Sequence, residues 1–596
     1  MKLGFVNGAL SGGGIRLPHS IKRGLLFSVI VFLLFWFILL PLFMVIMVSF
    51  RSGSPLDLGP FTLKNYLLTY SYPLTYKTLL NSILYAGASL VLVMSVATLF
   101  AWLIERTDMP FRGLAWTLIL LPIGMPSFLL TMSWILLLNP TVGMLNVILR
   151  SILEFFSFPV ETGPFNIYSL GGMIFVNSIT GLTTVFLLIV GAFHLVNQEI
   201  EDAALVSGAS SCRTLFAVTL PVLLPTLTVA ALYKFAGDLN DMDILLLLGL
   251  QPKIYVLPTL IFYSAFYGTP VHWGLATALS SPFIVIAVAL TYVYFRVIIR
   301  QAEAQKFVTV TGKRAQVRRV QLHRWRYPAF ALFIVYFFLS TAIPLLVLLW
   351  ASLLPSYRPF SSDVVNLLTL RNYMEISAWP EVGRVVANTI VIGGLTAAFT
   401  MLVAFFISWV VVRSDLPGRF FLDATVFIPH VLPGSVVAVG LVFTYLHPSL
   451  RWLPVYGTVW IMMVGLLVSY LPFSTRLMNG ALTQIHRELE EAGVVSGAGR
   501  LRVLTKITLP LVLPPFLMGC IWVASHAFRS LSIPLMLSTK DTATISVFLF
   551  QLWDTEGNFS GAAALGMLLV LFTMLLTFLS RRFVQHAFSS WERESA

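Results

Sequence analysis

Two segments of the sequence set acids, small residues, a glycine and a Leu-Pro pair at one spacing. The first reads Glu201-Asp202-Ala203-Ala204-Leu205-Val206-Ser207-Gly208, then nine residues, then Val218-Thr219-Leu220-Pro221. The second reads Glu490-Glu491-Ala492-Gly493-Val494-Val495-Ser496-Gly497, then nine residues, then Ile507-Thr508-Leu509-Pro510. Acids at the head of such a segment suit a helix N-terminus, where the dipole is positive. Alanines there let another surface approach closely. Gly208 and Gly497 suit a sharp break between two short helices. Pro221 and Pro510 suit the first turn of a following helix. The chemistry on offer is docking and leverage, not bond making.

A second group is ionisable and sits beside apolar runs. Lys234, Asp238, Asp241 and Asp243 follow one another closely, and the matching region further on carries His526 and Arg529. Intramembrane charges are functional candidates by default, and Asp238, Asp241, Asp243, His526 and Arg529 are candidates for lining a substrate pathway. The plainer alternative is a set of interfacial or loop charges, with Lys234 and Asp238 as an i,i+4 pair. Catalysis finds no support. There is no G-x-x-x-x-G-K-[ST] loop, since Gly312-Lys313 lacks both the upstream glycine and the following hydroxyl residue. No paired carboxylates or Ser/His/Asp set stand in a soluble domain. Cys212 and Cys520 are too few for a disulfide framework or a metal cluster, and no metal or cofactor is expected.

The elements that position these residues are membrane helices. The chain is 58% hydrophobic and 11% charged, with a mean hydropathy of +0.88. A soluble protein would carry about a quarter charged residues. Unbroken runs such as Leu25–Phe50 and Ala562–Leu579 indicate helices, not the alternating strands of a barrel. The first run is too long for a signal-peptide core and reads as a first spanning helix. Twelve spans are expected, near 24–50, 78–104, 113–137, 168–195, 217–237 and 273–297, then 328–352, 385–412, 420–446, 456–478, 507–528 and 561–580. With both termini in the cytoplasm, most of the 38 Lys and Arg residues fall on the inner side. That accounts for the net charge of +13 without nucleic-acid binding. A basic linker holds Arg296, Arg300, Lys306, Lys313, Arg314, Arg318, Arg319, Arg324 and Arg326. It reads as a topology anchor or as a contact for lipid headgroups or a partner.

The chain is a duplication. Thr62-Leu63-Lys64-Asn65-Tyr66 recurs as Thr369-Leu370-Arg371-Asn372-Tyr373, 307 residues on. The same register pairs Asn81-Ser82 with Asn388-Thr389. It also pairs Arg106, Asp108 and Pro110 with Arg413, Asp415 and Pro417, and Pro122 and Pro126 with Pro429 and Pro433. From the polar loops onward the register is 289. The first half therefore carries the longer outer loop, around 138–167. Each half has an even number of spans, so the copies run parallel, with a pathway between them. The four prolines read as gate-shaping kinks or as tolerated buried prolines. Asn81 and Asn388 read as helix bridges or substrate contacts.

The doubled loop resembles the EAA loop of type I ABC-importer permeases: an acid, two small residues, three residues, Gly, nine residues, an aliphatic, one residue, Leu-Pro. Asp202, Gly493 and Val218 depart mildly from that pattern, and either Glu201 or Asp202 can serve as the acid. The resemblance implies an all-α polytopic fold of two parallel six-helix repeats. The expected segments are a cytoplasmic N-terminus (1–23), a first repeat (24–297, core 77–297), the linker (298–327), a second repeat (328–582, core 384–580) and a cytoplasmic C-terminus (583–596). It implies that Glu201, Asp202, Ala203, Ala204, Gly208, Leu220, Pro221, Glu490, Glu491, Ala492, Gly493, Gly497, Leu509 and Pro510 form coupling elements. These would dock on two copies of a separate ABC ATPase, with a periplasmic binding protein outside, in a bacterial inner membrane. Fusion of both halves resembles the iron(III) and thiamine importers, and the segments Ile167–Met173 and Leu248-Gly249 look closest to the iron group. Thiamine, phosphonate or another small solute is the alternative substrate. An ion-driven secondary transporter is the alternative class, but it does not need the doubled loop.

Overall fold

The computed structural model describes residues 19–576, apart from 159, 194–197, 270, 306–318, 415–417 and 451. The N-terminal eighteen residues, the linker arginines and lysines Lys306, Lys313, Arg314 and Arg318, the repeat residues Asp415 and Pro417, and the C-terminal segment lie outside the described residues. Among those described, ten helices are long and apolar enough to cross a membrane, and two bent pairs bring the total to twelve. In chain order, spans 1 to 6 are Phe27–Ser49, Pro73–Arg106, Arg112–Gly124 with Ser127–Leu138, Leu170–Phe193, Leu215–Asn240 and Trp273–Val297. Spans 7 to 12 are His323–Ser352, Pro380–Arg413, Phe421–Val431 with Gly434–Tyr445, Val459–Gln484, Leu504–Phe528 and Phe559–Leu576. Helices satisfy their own backbone polar groups, which hydrocarbon demands.

The repeat is visible in structure. Spans 2 and 8 are both 34 residues long, and each is followed by a span broken at its prolines. The breaks are 95° in span 3 and 109° in span 9, so these prolines divide the spans and do more than kink them. The Asn and Tyr of the T-L-[KR]-N-Y signature close the C-terminal end of the preceding span. Asn65 Nδ2 donates to the carbonyls of Ser49 and Arg51, and Asn372 Nδ2 to those of Ser352 and Leu354. Tyr66 and Tyr373 each meet a span-end serine hydroxyl at 2.7 Å.

Between spans 5 and 6, and between 11 and 12, the chain does not form an open loop. It folds into short helices: Asp243–Gly249 and Leu257–Phe262 in the first half, Ser532–Leu537 and Ile545–Phe550 in the second. Residues Ile244–Gly249 and Leu257–Phe262 are all buried. Non-helical backbone at this depth is tolerated only when protein surrounds it. The repeated Asn-Ser/Thr pair holds it. Asn81 bonds Tyr255 O and Ser82 accepts Leu257 N; Asn388 bonds Asp541 O and Ala543 O and Thr389 accepts Ile545 N. These asparagines are bridges.

The halves interlock through their first spans. The C-terminal part of span 1 packs on the second limb of span 9, where Gly440 lets Pro41 approach; a Cβ there would lie 2.7 Å from Pro41 O. Span 7 packs on both limbs of span 3. Its Phe333 stacks on Phe100 at 4.2 Å, and its Tyr336 hydroxyl bonds Thr183 and Ile179 O. Each half thus braces the broken span of the other.

Candidate functional site

The two polar loops fold alike. Gln198–Val206 and Arg487–Val495 are helices of 9 residues each. They end at Gly208 and Gly497, whose φ values of 87° and 83° lie in the left-handed region that only glycine adopts freely. The next helix starts at Ser211 in the first loop and at Arg500 in the second and runs on into the span. Pro221 and Pro510 are therefore not in its first turn, as the spacing suggested. Each follows a five-residue π turn, Leu215–Thr219 or Leu504–Thr508, whose wider coil relieves the clash between a proline ring and the carbonyl four residues earlier.

The first acid of each loop is clamped. Glu201 pairs with Arg106 at 3.3 Å and accepts the Thr219 hydroxyl at 2.6 Å. Glu490 pairs with Arg413 at 3.1 Å and accepts the Thr508 hydroxyl at 3.0 Å. The arginines also cap carbonyls at the end of the preceding span: Arg106 bonds Phe193 O, and Arg413 bonds Leu482 O and Ile485 O. One carboxylate thus ties the loop helix to the ends of three spans on the same face. All four charged side chains are at most 18% exposed. Arg106, Arg413, Thr219 and Thr508 were not singled out as functional from the sequence. Their exact recurrence in the repeat was the signal available.

The second acids stand differently. Glu491 is exposed and Asp202 half-buried. Around them the loop helices present apolar groups to solvent: Ile200 and Val206 in the first, Leu489, Val494 and Val495 in the second. Val206 and Val495 are 84% and 87% exposed. Ala203 and Ala492 lie on this open side, whereas Ala204 and Gly493 are half-buried.

Gly493, where the first loop has Ala204, has a packing reason. A Cβ at Gly493 would lie 2.7 Å from Ile507 Cδ1 and 3.1 Å from Val503 Cγ2. The first loop combines Ala204 with the smaller Val218, and the second combines glycine with the larger Ile507. Overpacking costs about 1–3 kcal/mol, partly offset here by the roughly 1 kcal/mol helix preference of alanine over glycine. Gly493→Ala and Ile507→Val are expected to couple favourably by about 1 kcal/mol in thermal unfolding of the purified chain. Strict additivity would show that the two positions do not share this space.

The pathway candidates separate into two places. Asp238 lies inside the first half, ion-paired with Lys234, whose ammonium also meets Ser89 of span 2 and Asn177 of span 4 at 3.3 Å. Lys234 and Asp238 are 7% and 4% exposed, so neither is a loop or interfacial charge. Gly181 makes the room: a Cβ there would lie 2.6 Å from Lys234 Nζ. The second half has Val523 and Ala527 at the matching positions. This polar cluster staples spans 2, 4 and 5 and faces its own bundle.

Asp241, Asp243, His526 and Arg529 gather instead near the broken spans. Asp241 accepts the Tyr85 hydroxyl at 2.6 Å, and Asp243 accepts Ser127 at the start of the second limb of span 3 at 2.9 Å. Arg529, from the other half, donates to Ile123 O in the break of span 3 at 2.6 Å and stands within coulombic reach of Asp243. Thr573 bonds Gly124 O in the same break. In the reverse direction, Asn240 of the first half accepts Gly434 N in the break of span 9 at 3.1 Å. Each break is thus satisfied from across the molecule. His526 stacks on Trp522 at 3.8 Å; its Nδ1 donates to Trp522 O, so its Nε2 accepts from Arg529. A further pair went unnoticed in the sequence. Arg476, within span 10, bonds Asp423 of span 9 at 2.9 Å.

Broken spans joined across a two-fold duplication, with paired clamped loops, define a two-repeat polytopic membrane fold. Residues 401–589 match the family described as binding-protein-dependent transport system inner membrane component. The chain is similar to the putative ferric transport system permease protein FbpB 1 of Haemophilus influenzae, 24% identical over 87% of this chain and 78% of the relative. It is similar to the Fe(3+)-transport system permease protein FbpB 2 of the same organism, 21% identical over 86% of this chain and 90% of the relative. It is also similar to the probable sulfate transport system permease protein cysT of Prototheca wickerhamii, 24% identical over 39% of this chain and 94% of the relative. The protein is a multi-pass membrane protein.

Proposed function

We propose that this chain is the fused permease subunit of an ATP-driven importer of iron(III), with both termini in the cytoplasm. The observation that carries the reading is the pair of clamped loop helices, alike in both halves and exposing acid and apolar groups on one side. Two copies of an ABC ATPase dock there, and a periplasmic binding protein delivers substrate outside. Closure of the ATPase pair draws the loop helices together. The clamps pass that motion to spans 2, 4 and 5 and to spans 8, 10 and 11. The halves rock and the pathway opens outward; hydrolysis returns it inward. ATP chemistry belongs to the partner. Iron(III) leads among substrates because the ferric relatives align with most of this chain, whereas the sulfate relative aligns with 39% of it.

In this reading Asp202 and Glu491 are the docking acids, because Glu201 and Glu490 are already paired. The combined variant Asp202→Lys and Glu491→Lys is expected to lose ATPase co-purification while inserting normally into the membrane. Retained association would remove the docking role from these acids. Vesicles holding the intact complex are expected to accumulate iron(III) only with ATP and the binding protein. Uptake driven by an ion gradient alone would replace this reading with a secondary transporter.

A further inference from the structure

The long outer loop of the first half contains the helix Met144–Phe155, which has no counterpart in the second half. Two of its polar residues, Asn146 and Arg150, lie on one side and are used internally, while Glu154 is exposed. Asn146 is fully buried and donates to the carbonyls of Leu138, Asn139 and Phe165 while accepting Phe165 N. Arg150 donates to the carbonyls of Glu161 and Thr141. Gly163 packs on Asn146 so closely that a Cβ would fall 2.3 Å from its side chain. The opposite side carries Leu145, Ile148, Ile152 and Phe155, at helical spacing, and all are exposed. Phe156 and Phe158 just beyond it are exposed as well.

This is the reverse of a helix in water, which turns its apolar stripe to the core. We propose that Met144–Phe155 is an interfacial helix seated in the outer leaflet, its apolar face covered by phospholipid acyl chains. Three observations select lipid as the occupant. The helix begins six residues after span 3 ends at Leu138, and the chain re-enters span 4 at Leu170, so both ends of the loop are tied at the outer membrane boundary. The apolar stripe Leu145, Ile148, Ile152 and Phe155 carries no charge, and the one acid of the helix, Glu154, is exposed off that stripe. The one arginine of the helix is engaged by the loop on the other side. An amphipathic helix with this division lies in the membrane plane with its apolar face buried about 5–10 Å. It would fix the outer end of span 3, whose break receives Arg529, against sliding along the membrane normal.

The test uses the full chain in bilayers. In a Cys212→Ser, Cys520→Ser background, Ile152→Cys and Glu154→Cys each carry an environment-sensitive fluorophore. The Ile152 probe is expected to emit at shorter wavelength and to lose most of its emission to brominated phospholipid, with little loss to aqueous iodide. The Glu154 probe is expected to show the opposite pattern. Because these substitutions could disturb the loop, the unaltered chain is also reconstituted with a phospholipid bearing a diazirine near the headgroup. Label is expected on the peptide spanning 144–158. Iodide quenching of the Ile152 probe, or its shielding from both quenchers, overturns the proposal: the first means water and the second a protein surface covers the face. Absence of photolabel from that peptide overturns it equally.

Discussion

Arg106→Met is expected to lower ATP-driven uptake on the order of 100-fold without preventing membrane insertion. The arginine and Glu201 are 7% and 12% exposed, so removing one strands the other. Breaking such a pair costs about 3–5 kcal/mol, and each 1.4 kcal/mol is about tenfold. The loss should fall on coupling, since the clamp holds the loop helix to spans 2, 4 and 5. Glu201→Gln should do less, because its amide oxygen still accepts Thr219. Replacing both partners removes the stranded charge, so Arg106→Met with Glu201→Gln is expected to recover much of the activity. The measurement is substrate transported per ATP hydrolysed in vesicles. If the double variant is as impaired as Arg106→Met alone, the arginine acts through something other than Glu201. Arg413 and Glu490 should behave in the same way, which makes a second, independent cycle available in one chain.

Arg529→Met is expected to cut uptake at least about 30-fold. It removes the donor to Ile123 O inside the break of span 3 and the partner of His526 Nε2. Ile123 is 37% exposed, so the loss is that of a hydrogen bond from a charged donor, about 1.5–3 kcal/mol. The position opposite, Asn240, serves the other break with an uncharged side chain. Asn240→Leu should therefore be milder. Arg529→Lys keeps the charge near Asp243 but offers a point donor in place of a planar fork, so partial recovery is expected. Uptake is measured together with ATP hydrolysis in the absence of substrate. A variant that fails to transport yet hydrolyses faster has lost the link between the halves. Near-normal uptake by Arg529→Met would show that the break holds its shape without it.

The two variants separate the levers from the pathway. The first breaks the transmission from loop to span, and the second breaks the joint between the broken spans. Both sets of residues recur in the repeat, but only one set does so with conserved chemistry. Arg106 and Arg413 match, as do Glu201 and Glu490, as the proposed coupling of each half to an equivalent partner requires. Asn240 and Arg529 do not match, so the interface between the halves is asymmetric in charge.

Much of this protein is local information. Runs of apolar residues long enough to cross hydrocarbon fixed about twelve spans, because each helix closes its own hydrogen bonds. The two registers of the repeat fixed the duplication and the longer outer loop near 138–167. Gly208 and Gly497 fixed the turns, since their positive φ excludes a side chain at little distance from the motif that names them. The tertiary structure decided what each polar group does. Glu201 and Asp202 are neighbours in sequence, yet one is clamped by an arginine of span 2 and the other stands half-buried beside it. Asp238 and Asp241 are three residues apart, yet one staples a bundle and the other meets Tyr85 near a break. The prolines announced a disturbance, but only packing showed a right-angled break with its carbonyls bonded from the opposite half. A helix carries its own periodicity in its sequence. A carboxylate or a freed carbonyl takes its role from a group that chain folding brings to it from far away.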